Sequence, residues 1–216
     1  MTGGWCVGAD LGVVQDPSCV AVLEPWRAGW ALTSMRTWHP DRDMVGVLEY
    51  LVRLVEKFAP PLRPSLAIDA RGIGRPVAKM AVEGQVGDLF DVYPVLPSAS
   101  DREHRQRPDG SVWIGKAPTM ARLFRMLRDG SIVVADGLPE ARDLQRELTQ
   151  LREVETPTGQ RTTWTHASAS RLHHDDRVQA LGYAAFLAET LRNQGLVNRI
   201  RPVRRFRRED SCSTSL

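Results

Sequence analysis

Two short apolar runs in this chain each end in an aspartate: Cys6-Val7-Gly8-Ala9-Asp10 and Ser65-Leu66-Ala67-Ile68-Asp69. A five-residue apolar run bounded by turn residues has the length and composition of a buried β-strand. Between the two lie a turn at Gln15-Asp16-Pro17-Ser18, a second run Cys19-Val20-Ala21-Val22-Leu23, and a third strand-like stretch from Trp30 to Trp38 after Arg27-Ala28-Gly29. From Asp41 to Ala59 the period changes. Met44, Val47, Leu48, Leu51, Val52, Leu54, Val55 and Phe58 recur at helical spacing, and Pro60-Pro61 stops the helix. Three strands in tight succession read as an antiparallel meander. A right-handed crossover through the helix then sets the fourth strand parallel to the first and beside it. Asp10 and Asp69 would emerge at one edge of that sheet, where ligands of open α/β sheets gather.

The rest of the chain continues the alternation. Ala70-Arg71-Gly72-Ile73-Gly74 reads as a loop, with Pro76 in the first turn of a helix through about Val82, then a fifth strand from Leu89 to Leu96. Pro97 to Gly110 reads as a polar, turn-rich loop. A helix over Pro118 to Arg128 follows, with Gly130 at its end, then a short strand at Ser131-Ile132-Val133-Val134 and a helix from Pro139 to about Arg152. Val154 to Thr165 reads as a hairpin centred on Pro157-Thr158-Gly159. The last helix spans Asp176 to Arg192, with Val178, Leu181, Ala185, Ala188 and Leu191 on one stripe. The order of elements is that of the ribonuclease H-like α/β fold. It implies a mixed sheet of five or more strands flanked by helices, with an added hairpin.

Composition narrows the class. A chain of 216 residues suits one domain, here assigned to residues 1–198. Three cysteines (Cys6, Cys19 and Cys212), none in a C-x-x-C pair, supply no disulfide framework or zinc module and fit a reducing interior, with Cys6 and Cys19 as inert buried thiols. No apolar run approaches the roughly 18 residues of a membrane span. The net charge of +3 is uneven: residues 199–216 hold six arginines against Glu209 and Asp210. The body keeps 23 of the 29 basic and 24 of the 26 acidic residues, a balance of −1. Residues 199–216 thus read as a basic, disordered tail that either contacts nucleic acid or an acidic partner, or solubilises the chain.

Two carboxylates held together at a sheet edge repel unless a cation or proton lies between them, and hard divalent cations prefer oxygen ligands. A third acid can join them from His173-His174-Asp175-Asp176-Arg177, just before the last helix. One aspartate of that pair suffices as a helix cap, and Asp175 suits the part. Ala180, Ala184, Ala185 and Ala188 would let the helix approach the sheet and carry Asp176 to the edge. Asp10, Asp69 and Asp176 around two ions, magnesium or manganese, form the arrangement that activates a water and steadies the leaving oxygen of a phosphodiester.

Gly8-Ala9-Asp10-Leu11-Gly12 with Asp16 after it, Ile68-Asp69-Ala70-Arg71-Gly72-Ile73-Gly74, Gly115-Lys116-Ala117 and His174-Asp175-Asp176-Arg177-Val178-Gln179-Ala180 together resemble the nuclease domain of phage terminase large subunits. Met120 to Leu151 and the hairpin after it follow the same pattern, so the resemblance covers roughly residues 5–190. It implies a magnesium- or manganese-dependent endonuclease that cuts concatemeric viral DNA during packaging in the host cytoplasm. Asp10, Asp69 and Asp176 would be its metal-binding acids and Asp175 an accessory acid. Double-stranded DNA would be the substrate, with Lys116, Arg71 and Arg75 as backbone contacts and the 150s–160s hairpin as a guide. Family members carry a packaging ATPase that this sequence lacks. The expectation is therefore a separate ATPase polypeptide, with portal and small terminase subunit as further partners. A branched-DNA resolvase of the same fold and a non-catalytic packaging subunit binding DNA or portal through its tail are the alternative readings.

Gly110-Ser111-Val112-Trp113-Ile114-Gly115-Lys116-Ala117 mimics a phosphate-binding P-loop, but Ala117 stands where a magnesium-holding Ser or Thr belongs, and Pro118 follows where a phosphate-cradling helix should already run. No buried strand is evident before Gly110, and no ATPase activity is expected. His166, His173 and His174 fit oxygen-only chemistry poorly. Asp16, before Pro17, suits a turn or an outer water contact. Trp5, Trp26, Trp30, Trp38, Trp113 and Trp164 are scattered over strands as packing residues and form no base-stacking set.

Overall fold

The computed structural model describes residues 4–12, 16–39, 45–72, 74–99, 104–155, 162–166, 175–192 and 201–203. The first apolar runs form the meander: β1 (Cys6–Asp10), β2 (Ser18–Trp26) and β3 (Gly29–Trp38) pair antiparallel in sequence order. Helix α1 (Val45–Phe58) buries Val47, Leu48, Leu51 and Leu54, and the chain returns as β4 (Ser65–Asp69), parallel to β1 and beside it. Helices α2 (Gly74–Glu83) and α3 (Gln85–Leu89) lead to β5 (Asp91–Ser98), parallel to β4. A small antiparallel pair, β6 (His104–Gln106) and β7 (Val112–Gly115), extends that edge, with β7 parallel to β5. Helix α4 (Lys116–Arg128) crosses to β8 (Ile132–Val134), parallel to β3 at the opposite edge. Helix α5 (Ala141–Gln150) runs into a separate hairpin of β9 (Leu151–Glu155) and β10 (Thr162–His166), and α6 spans Asp176–Arg192. The eight-stranded order is β6-β7-β5-β4-β1-β2-β3-β8.

Strand alternation feeds two cores. Val7, Ala9, Val20, Val22, Leu66 and Ile68 pack with α1, α2 and α3 on one face of the sheet. Cys6, Cys19, Ala21 and Ala67 pack with α4, α5 and α6 on the other. Because successive side chains alternate, Gly8 and Asp10 share the face of Cys6, and Asp69 shares that of Ala67. Both aspartates therefore point to the α6 side. The cysteines at 6 and 19 are buried free thiols, as their sequence setting implied.

The sheet is larger than the five-strand minimum, and several boundaries differ from the sequence reading. The fifth strand starts at Asp91, because Gln85–Leu89 forms a one-turn helix. The stretch read as a loop from Pro97 to Gly110 holds the end of β5 and all of β6, which its polar residues concealed. Helix α4 begins two residues early, at Lys116, directly at the end of β7. Gly110 closes a β-turn, its N–H donating to the Arg107 carbonyl at 3.0 Å, and the segment after it is the strand Val112–Gly115 rather than a phosphate-cradling loop. Helix α6 is buried on every side from Val178 to Ala188, not along one stripe, because it is pressed between sheet and helices. Within the basic tail, Arg201–Val203 joins the fold: the Val203 N–H donates to the Val92 carbonyl at 2.8 Å, and Gln106 exchanges hydrogen bonds with the Arg201 backbone. Val92 lies before the stretch of β5 that pairs with β7, leaving its ladder groups open to this segment. Residues 40–44, His173, His174 and Arg204 onward lie outside the described residues. Among the described residues no helix is long and apolar enough to cross a membrane.

Candidate active site

Asp10 and Asp69 are the last residues of β1 and β4, whose parallel register pairs Ala9 with Ile68, so the two carboxylates stand side by side at the C-terminal edge. Asp176 arrives from above, as the first residue of α6. Gly8 makes that approach possible. A Cβ built on it would lie 1.9 Å from the Ala180 carbonyl oxygen and 2.6 Å from the Ala184 nitrogen, so α6 backbone occupies the space a side chain would fill. All three aspartates are buried, at 8%, 3% and 6% exposure for residues 10, 69 and 176. They line one cleft of about 220 Å³ together with Asp16 and Asp175.

Among the described residues, the cleft is therefore walled by five carboxylates against two cationic side chains, Arg71 and Lys116. Asp69 is held by three donor groups. Its Oδ1 accepts the Arg71 backbone N–H at 2.8 Å, and its Oδ2 accepts Arg71 Nη2 at 3.0 Å and the Tyr183 hydroxyl at 3.2 Å. Asp175 Oδ2 accepts Lys116 Nζ at 3.1 Å and Gln179 Nε2 at 2.9 Å. Burial, then the neighbouring Asp69, Asp176 and Asp175, push the Asp10 carboxyl well above the usual carboxylate range. Burial, then Asp175, Glu147 and Asp16, raise Asp176 to about 7. Burial and the charges of Asp10 and Asp69 also raise the Tyr183 phenol, keeping it a proton donor.

Every residue assigned to the site from sequence except Arg75 lines this cleft; Arg75 sits exposed on the first turn of α2. Lys116 faces the cleft already engaged by Asp175, and Arg71 by Asp69. Sequence reasoning gave no role to Tyr183 or Gln179. Both were within reach: Tyr183 lies seven residues, two helical turns, after Asp176, and Gln179 four residues after Asp175. The tryptophans divide. Trp5, Trp30 and Trp38 are core, Trp164 stacks on Phe124, and Trp26 and Trp113 are exposed.

Among the described residues no three His, Cys, Asp or Glu side chains are already gathered to hold an ion. The carboxylates ring the cleft instead. That ring still fits divalent cations: the acidic donors are all oxygen, the preference of magnesium and manganese, and a buried Asp10 carboxyl pushed up by burial and by the charges of Asp69, Asp176 and Asp175 is relieved by positive charge.

No protein-family model and no curated protein matches the sequence. Solved structures do. The large terminase nuclease of thermophilic phage G20c with bound magnesium superposes with a TM-score of 0.61 at 20% identity, over 86% of this chain and 82% of that one. The chain shares its fold. The large terminase of a second thermophilic bacteriophage, in complex with ADP, follows at TM-score 0.56 and 12% identity, with 88% of this chain covering 40% of that one. The manganese-soaked human cytomegalovirus terminase nuclease domain gives 0.50 at 13% identity, over 85% of this chain and 82% of that domain.

Proposed function

We propose that this chain is a metal-dependent endonuclease of the terminase type, cutting concatemeric viral DNA during genome packaging. The observation that carries the reading is the cleft: two strand-end aspartates and a helix-start aspartate, all buried, facing one solvent-open space. Burying three acids side by side, with Asp10 and Asp176 both pushed up by burial and by neighbouring carboxylates, is destabilising to a fold, so their assembly at the ligand-binding edge of a sheet calls for a functional partner.

Asp10, Asp69 and Asp176 would hold two magnesium or manganese ions, with Asp175 as an accessory acid. The ions would supply positive charge that activates a water and steadies the leaving oxygen. The chain's own residues do the arranging. Arg71 and Tyr183 fix the Asp69 carboxylate through three donor groups, leaving little freedom in its orientation. Lys116 and Gln179 fix Asp175 in the same way. Lys116 and Arg71 place positive charge beside the path of a scissile phosphate, with Arg75 farther out along the backbone. Among the described residues, the side chains that line the cleft include no Ser, Cys or Thr, in keeping with direct attack by water. Double-stranded DNA is then the substrate, and the packaging motor, portal and small terminase subunit its working partners.

The test is cleavage of plasmid DNA in manganese by the parent and by Asp10→Ala and Asp69→Ala. The parent should nick and linearise the plasmid while both variants lose at least about a hundredfold in rate. Variants that cut as fast as the parent would end the assignment.

A further inference from the structure

We propose that Glu147, on α5, is a positioning residue for the cleft: with Arg177 it holds the start of α6 from outside and so commits the adjacent aspartates to the cleft. The inference rests on the nuclease reading for its consequence, though not for its geometry.

A helix start needs acceptors for its first free amides, usually from the side chain of the residue just before it. For α6 that residue is Asp175, whose carbonyl accepts the Gln179 N–H at 2.8 Å. The two amides such a side chain would serve, those of Arg177 and Val178, instead both donate to Glu147 Oε2, at 3.1 and 3.2 Å. Glu147 lies thirty residues earlier in the chain and is only 6% exposed. Its other oxygen, Oε1, accepts Arg177 Nη1 at 2.6 Å. Asp175 Oδ2 is meanwhile taken by Lys116 and Gln179 on the cleft side.

Arg177 carries the brace further. Its Nε donates to Glu140 Oε2 at 2.6 Å, and that same oxygen accepts the Thr37 hydroxyl at 3.2 Å. Thr37 of β3 pairs with Cys19 of β2, and Cys19 pairs with Asp10 of β1. The line Glu147–Arg177–Glu140–Thr37 thus joins the α6 start to the sheet in the row that holds Asp10. The level of Asp176 over the strand-end acids is set by this line. A buried carboxylate is costly unless fully bonded, and here every bond of Glu147 is spent on the two residues following Asp176.

A second, half-buried ion pair on the same helix supplies the comparison. Glu189, farther along α6, binds Arg122 Nε at 2.5 Å and also pairs with Arg125 on α4, away from the cleft. It ties helix to helix without touching the helix start.

The experiment compares full-length parent, Glu147→Gln, Glu147→Ala and Glu189→Gln by amide hydrogen exchange, manganese calorimetry and plasmid-cleavage kinetics. In Glu147→Ala, exchange at Arg177 and Val178 should speed at least about tenfold beyond any change at Leu187 and Ala188. The manganese dissociation constant should rise about ten- to a hundredfold, and kcat should fall by a similar factor while KM stays within about threefold. Glu147→Gln, which keeps shape and one acceptor, should lie between, and serves as the test protein should the alanine variant fail to fold. Glu189→Gln should lower the melting temperature and leave manganese affinity unchanged. Equal exchange changes at both ends of α6, or a manganese affinity in the Glu147 variants equal to that of Glu189→Gln, would overturn the positioning role. A parent that takes up no manganese and cuts no DNA would end the nuclease reading, and the exchange ratio would then decide the role of Glu147 alone.

Discussion

Replacing Gly8 with alanine adds one carbon at the point where α6 lies on β1. That carbon would sit 1.9 Å from the Ala180 carbonyl oxygen, whereas ordinary contact begins near 3.4 Å. The obstacle is main chain on a helix buried on all sides, so no side-chain rotation relieves it; α6 must recede by about 1.5 Å or β1 must buckle. Overpacking of this kind costs about 1–3 kcal/mol, and the backbone contact puts Gly8→Ala at or above the upper end. Ala180 is one turn from Asp176, so the same displacement lifts Asp176 away from Asp10 and Asp69. A misplacement of about 1 Å in a reacting constellation lowers rates on the order of a hundredfold. Urea unfolding and plasmid cleavage, both at a temperature where the variant is folded, measure the two effects. A Gly8→Ala protein with parental stability and parental cleavage would refute the close approach of α6 and with it the way the cleft is built.

Other expectations follow from the electrostatics and hydrogen bonds of the cleft. Asp176, raised to about 7 from 3.8, keeps its proton in the metal-free folded protein over a range where the unfolded chain has lost it. The folded state then binds more protons, and stability should fall as pH climbs from about 4 to about 7, by at most roughly 4 kcal/mol, while saturating manganese should flatten the slope; a metal-free melting temperature that rises across that window would contradict this. Asp10→Asn should abolish cleavage yet raise the metal-free melting temperature at pH 8, because the neutral amide escapes the cost that burial and the neighbouring carboxylates impose on a carboxyl ionised in the unfolded chain. A variant less stable than the parent would argue against that cost. Tyr183→Phe removes one donor to Asp69 and should cost about 1 kcal/mol in urea unfolding, with weaker manganese binding in calorimetry and an unchanged fold by circular dichroism.

Much of the site could be read from the sequence because its acids fall at the ends of regular elements. Asp10 and Asp69 end five-residue apolar runs, and the crossover rule alone makes those runs parallel neighbours. Asp176 opens a helix whose bounds, Asp176 to Arg192, agree between sequence and structure. The short pieces were hidden for physical reasons. β6 is a three-residue strand of His, Arg and Gln, stabilised by pairing with β7 and not by its own apolar pattern. Helix α3 carries Gly87 at its centre and buries a single residue, Val86. The full burial of α6 was masked by its alanines, which suit a solvated face as readily as a crowded interior. Glu147 acts across thirty residues of chain; such a partner is fixed by tertiary packing, which local pattern does not encode, whereas Tyr183 shares a helix with Asp176 and could have been found by its two-turn spacing. Val203 likewise resembles the start of an unstructured basic tail until the open ladder of Val92 is seen.

The most direct measurement is the anomalous scattering of a manganese-soaked crystal of the parent protein. Two peaks in the cleft, each within coordination distance of at least one of Asp10, Asp69 and Asp176, are the predicted result. A cleft without manganese at saturating concentration, or ions held only by residues elsewhere, would contradict it.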